Sequence, residues 1–141
     1  MAFKALLTTK TEGVVSTSLV DFDEADLMPG DVTVAIDYST VNYKDAMAIS
    51  GHAPVIRQFP LIPGIDFSGT VQTSSHAGFA VGDRVVANGW GLSQTHHGGL
   101  GRVNTNGDGD DCARKSPTWR SRPNNSLPLN TACPGSVATS A

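Results

Sequence analysis

The side chains able to build a hydrophobic core are concentrated in the first 100 positions of this 141-residue chain. Beyond them the large apolar residues are Val103, Trp119, Leu127, Leu129 and Val137, scattered among prolines, asparagines and serines. Such a stretch buries too little apolar surface to offset the entropy of ordering it. The expectation is one folded domain over residues 1–100 and a disordered segment over 101–141. The change falls inside 98-GGLGR-102, not at a linker after a completed element. The total length suits one domain and leaves little room for a second.

Within the first 100 residues the apolar runs are short and punctuated by glycine and proline. Phe3 to Thr9 and Ser16 to Phe22 have strand character. Asp31 to Tyr38 alternates polar and apolar residues with period two, as a half-buried strand does. Leu27-Met-Pro-Gly30 before it reads as a turn. Asp66 to Thr73 is a further strand, and Gly69 inside it marks a bulge or a close backbone approach. Gly82-Asp83 is a turn that leads into a strand over Arg84 to Asn88. Tyr43 to Ile49 instead reads as a short helix, with Asn42 as its N-cap and Gly51 as its terminator. These elements predict a mainly β fold, a small barrel or sandwich with one short helix.

Composition removes several classes of function. A net charge of −3 and a pI near 5.7, with no basic cluster backed by aromatics, argue against a nucleic-acid surface. No apolar run approaches the roughly 20 residues of a membrane span. The opening MAFKALLTTKTEG lacks the apolar core of a secretory signal. The expected location is the cytoplasm, where Cys112 and Cys133 are expected to be free thiols. There is no G-x-G-x-x-G after a strand and no G-x-x-x-x-G-K-[ST], hence no nucleotide-binding fingerprint in these residues.

Two stretches carry candidate chemistry. Asn42-Tyr43-Lys44-Asp45 follows a strand and opens a helix, where free backbone N–H groups and the Tyr43 and Lys44 donors can meet an anion or a carbonyl oxygen. The same residues also fit a purely structural account: Asn42 caps, Tyr43 packs its ring, and Lys44 and Asp45 are solvated. Pro60 to Gly69 is a stiffened loop that feeds a strand, and by itself it fits a barrel corner. The pair His96-His97 invites a metal reading. Adjacent side chains on extended backbone point to opposite faces, so loop histidines are the simpler account.

Three stretches, FKALLTTK, STVNYKDAMAISGHAPVIRQFPLIPGIDFSGTV and VGDRVVANGWGLSQTHHGGL, make a long collinear match to a known family. They resemble the GroES-like catalytic domain of medium-chain dehydrogenase/reductases, within the zinc-independent quinone oxidoreductase group that includes acrylyl-CoA reductase. The resemblance implies a partial GroES-like β-barrel with one or two short helices. It also implies an NADPH-dependent oxidoreductase acting on a small-molecule substrate, an enoyl thioester or a quinone, in a family that is often homo-oligomeric. Hydride would pass to the β-carbon of the activated alkene while a donor stabilises the enolate oxygen. By motif position, Tyr43 and Asn42 are the implied catalytic residues, and Asn42, Lys44 and Asp45 the implied cofactor contacts.

Zinc-dependent members of the superfamily carry a cysteine ligand where Asn42 stands and a histidine where Ile65 stands in Gly64-Ile65-Asp66, so no metal is expected. The family continues into a Rossmann domain, and here GRVNTNGDGDDCARK follows instead. The expectation is a truncated or frameshifted member that is inactive alone. The alternative is a non-enzymatic β-domain that binds a protein partner through exposed barrel surface.

Overall fold

The computed structural model of the chain describes residues 2–89, 91–106 and 114–115. Two strands, β1 (Ala2–Thr11) and β2 (Val14–Asp23), form an antiparallel hairpin in register from Ala2 opposite Asp23 to Thr11 opposite Val14. Five further strands make a second sheet: β3 (Val32–Ser39), β4 (Asp66–Ser74), β5 (Arg84–Asn88), β6 (Val103–Asn106) and β7 (Arg114–Lys115). Their order is β6-β3-β4-β5-β7, with every pair antiparallel. The helix α1 (Tyr43–Ser50) lies between β3 and β4 in the chain. A short 3-10 turn, Glu24–Asp26, follows β2; no local pattern in the sequence announces it.

The period-two pattern becomes the core. Val32 and Val34 of β3, Phe67 and Val71 of β4, and Val85 and Ala87 of β5 are buried in one cluster with Phe79 and Leu92. A second cluster, Ala48, Ile56 and Leu61, seats α1. The hairpin is tied in along β1. Thr8 exchanges backbone hydrogen bonds with Leu61 at 2.8 and 3.0 Å, and the Leu6 N–H donates to the Leu100 carbonyl at 2.9 Å.

The sheet bends where the sequence placed Gly69. Gly69 faces Ile36, and the next pair is Ser68 with Tyr38, so Asp37 is an extra residue on β3. A Cβ on Gly69 would collide with the Ala35 carbonyl oxygen. The anticipated bulge and close approach are thus one feature. The bulge carries β3 out of its buried alternation and leaves Tyr38 exposed just before α1.

The sheet does not stop at residue 100. β6 pairs with β3 from Val103 opposite Ala35 to Asn106 opposite Val32, and β7 pairs with β5. Composition missed these edge strands because a backbone ladder needs no apolar side chains. The remainder of the expected disordered segment, both cysteines included, lies outside the described residues.

Two substitutions have opposite expected effects. Gly69→Ala forces β3 and β4 apart and should cost about 3 kcal/mol. Ser93 is buried at φ 65°, and its Oγ has no hydrogen-bond partner among the described residues. Ser93→Gly should therefore raise stability by about 1 kcal/mol. Urea denaturation of the two variants against the parent chain measures both.

Candidate active site at the helix N-terminus

The site begins with a cap. The Asn42 side-chain oxygen accepts the N–H of Lys44 at 3.0 Å and that of Asp45 at 3.4 Å. Asp45 returns the interaction, its Oδ2 accepting the Asn42 N–H at 3.1 Å. This is a reciprocal capping box, with Asn and Asp in the two roles. Asp45 also reaches away from the helix. Its Oδ1 accepts the Ile65 N–H at 3.0 Å, from the loop that feeds β4. One carboxylate therefore holds the start of α1 against that loop.

The approach to the helix is fixed from β4 as well. Asp66 Oδ1 accepts the Thr40 hydroxyl at 2.6 Å and the Thr40 N–H at 3.3 Å, and the Ser39 hydroxyl donates to the Asp66 carbonyl at 3.0 Å. Residues 39–45 are thus bound at both ends to residues 65–66.

These bonds place the four expected residues differently. Tyr43 is 81% exposed, so its ring does not pack as the structural account required. Lys44 is exposed beside it. Asn42 is half-buried; its oxygen is committed to the cap, and its NH2 has no partner among the described residues. Asp45 is 0% exposed, with both oxygens engaged by backbone N–H groups. It is not solvated, which corrects that expectation for it. Its carboxylate holds the backbone from which the other three project. The Asn-x-x-Asp spacing was the available sign of this. The contributions of the Ile65 N–H and Asp66 had no local signature.

The histidine pair divides. His96 is exposed, with Nδ1 3.0 Å from the Thr95 hydroxyl. His97 is buried at 5% exposure; its Nδ1 accepts the Ile62 N–H at 3.0 Å, and its ring meets Phe22 edge-on at 5.4 Å. Burial, with a smaller contribution from His96, holds His97 below the usual histidine value of 6.5. His97 does lie in a loop, as the sequence suggested, and it is buried there as an internal acceptor. Among the described residues no three His, Cys, Asp or Glu side chains gather as a metal site would require. Nor is any described helix long and apolar enough to cross a membrane.

Residues 28–121 match the alcohol dehydrogenase GroES-like domain, and the chain belongs to that family. It is a GroES-like domain of the medium-chain dehydrogenase/reductase superfamily. It is 48% identical over 97 residues to the probable acrylyl-CoA reductase AcuI of Escherichia coli, covering 69% of this chain and 30% of that protein. The putative quinone oxidoreductase YhfP of Bacillus subtilis is 38% identical over 98 residues, covering 70% and 30% respectively. Among solved structures, E. coli YhdH with bound NADPH superposes with a TM-score of 0.76 at 44% identity, covering 80% of this chain and 34% of that one. The chain therefore spans about a third of the length of such relatives.

Asp45→Ala should cost about 3 kcal/mol in urea denaturation, because it strands a buried N–H as well as removing charge-assisted bonds. Asp45→Asn, which keeps one acceptor, should cost less.

Proposed function

We propose that this domain forms the substrate-side wall of an NADPH-dependent reductase acting on an activated alkene, an enoyl thioester such as acryloyl-CoA or a quinone. The observation that carries the reading is the pairing at the start of α1. An exposed phenol, Tyr43, adjoins an amide NH2 on Asn42 that has no partner among the described residues. Both are donors on a backbone that the capping box holds still. Preorganised donors aimed at developing negative charge are the commonest large contribution to such catalysis. The similar proteins named acrylyl-CoA reductase and quinone oxidoreductase support the substrate class, and the NADPH-bound relative supports the cofactor.

In this reading the Tyr43 hydroxyl donates to the substrate carbonyl oxygen as it gains enolate charge. The Asn42 NH2 orients the carbonyl or the cofactor's carboxamide. Lys44 supplies positive charge toward the cofactor, and Asp45 acts through the backbone it holds. NADPH, when bound, would supply the hydride for the β-carbon, and a proton from solvent at the α-carbon would complete the reduction. The exposed apolar side chains of Tyr38 and Val41 offer a surface that a nicotinamide ring could cover. Zinc has no part: the Asn42 oxygen is committed to the cap, the Ile65 side chain is hydrocarbon, and His97 Nδ1 already holds the Ile62 N–H.

The residues that would hold pyrophosphate and adenosine are not found in these 141 positions, which contain no glycine-rich phosphate turn. Losing several kcal/mol of cofactor binding weakens affinity at least about a thousandfold. The 141-residue chain alone should therefore show no NADPH-dependent reduction of acryloyl-CoA in a steady-state assay. Fused to the remaining part of the E. coli acrylyl-CoA reductase, it should regain turnover, and Tyr43→Phe in that fusion should lower kcat by about a hundredfold. Turnover unchanged by Tyr43→Phe would remove Tyr43 from the role.

A further inference from the structure

The loop 61–65 is held by side-chain acceptors at two points. His97 Nδ1 takes the Ile62 N–H at 3.0 Å, and Asp45 Oδ1 takes the Ile65 N–H at 3.0 Å. Backbone bonds complete the hold: the Gly99 and Leu100 N–H groups donate to the Gly64 and Pro63 carbonyls at 3.0 and 2.9 Å. Leu61, Ile62, Pro63 and Gly64 are all buried, so the N–H of Ile62 has little access to water should its acceptor be lost. Three residues beyond Ile62 stands the N–H that Asp45 holds, and Asp45 also caps the helix that presents Asn42 and Tyr43.

We infer that His97 is a positioning residue for the candidate site, a proton-sensitive latch that holds loop 61–65, and through it Asp45, only while its imidazole is neutral. The inference rests on the reading of the α1 N-terminus as the reductase site. A neutral imidazole offers Nδ1 as an acceptor; an imidazolium has two donors and no acceptor. Protonation would thus set Nδ1–H against the Ile62 N–H and place a charge against the Phe22 ring in a buried pocket.

The charged groups on the described elements around His97 are few. Loop 61–65 has no titratable side chain. On the hairpin, Phe3 and Phe22 are paired, and strand alternation puts Lys4, Asp21 and Asp23 on the other face. There Lys4 pairs with Asp21, and Asp23 accepts the Ala25 N–H. His96, next in the chain, is the charged group that acts on His97, and it opposes protonation.

The sign of the pH dependence follows. Because the folded-state value lies below 6.5, both states are neutral well above that pH, and the contact is intact. As the pH falls below 6.5 the unfolded chain takes up the proton first, so stability declines until the folded-state value is passed.

The test is a titration of the 141-residue chain from about pH 8 to about pH 5, read by amide NMR and by the His97 ring resonance. The amides of Ile62, Ile65, Asp45 and Asn42 should shift along one curve whose midpoint is that of the His97 ring. Exchange of the Ile65 amide, corrected for its intrinsic rate, should become at least about tenfold faster below the midpoint. His97→Asn, which keeps an acceptor that does not titrate, should abolish the shared transition; His96→Gln should retain it. A transition confined to Ile62, a midpoint different from that of the His97 ring, survival in His97→Asn or loss in His96→Gln would each overturn the inference. Should His97→Asn fail to fold, the wild-type comparison of ring and amide midpoints decides alone. None of these readouts uses cofactor or turnover, so failure of the reductase reading in the fusion assay is a separate result.

Discussion

One buried carboxylate holds the start of α1 against the loop that feeds β4. Asp45 receives the N–H of Asn42 on one oxygen and that of Ile65 on the other. A buried carboxylate survives only if its desolvation is offset by hydrogen bonds to the charged form. Here both donors are backbone groups that would otherwise be orphaned, one at a helix start and one in a loop. The arrangement therefore answers two needs with one side chain. It also fixes the geometry between two segments twenty residues apart in sequence.

Around that point the fold is a set of reciprocal restraints. Asp66 fixes the strand-to-helix connection from below through Thr40 and Ser39. The loop 61–65 contributes donors to His97 and Asp45 and acceptors to Gly99 and Leu100. The hairpin adds its own tie to the helix, the Thr17 hydroxyl donating to the Ile49 carbonyl at 3.1 Å. The bulge at Asp37 then decides what the restrained region displays, because it turns the end of β3 outward. Precision and exposure thus come from different features, the carboxylates and the bulge.

Much of the fold was readable because its signals are local. Short apolar runs, one period-two alternation and the turn residues between them located the first five strands, and Arg84 to Asn88 matched to the residue. Asn42 and Gly51 marked the ends of α1, with Gly51 in the left-handed conformation at φ 69°. What was not readable is carried by contacts distant in sequence or by backbone alone. β6 pairs through its main chain, so its composition hid it. His97 gains its acceptor role from Ile62, thirty-five residues earlier. Asp45 looked like a solvent-facing helix residue because nothing adjacent announces the Ile65 N–H. The long collinear resemblance supplied the family.

The capping box also bears on how such scaffolds diversify. A cysteine at position 42, the kind of side chain a metal would need, is a poor substitute for the cap oxygen that Lys44 and Asp45 share here. Recruiting a metal on this backbone therefore begins with a loss: about 1 kcal/mol of helix-end stability goes before any ligand bond forms. Until a second ligand replaces Ile65 and the metal arrives, a lineage making that change carries the deficit with no gain. The present sequence is in this sense separated from a metal-binding version of the same backbone by a barrier in sequence space, and its height is set by an amide oxygen.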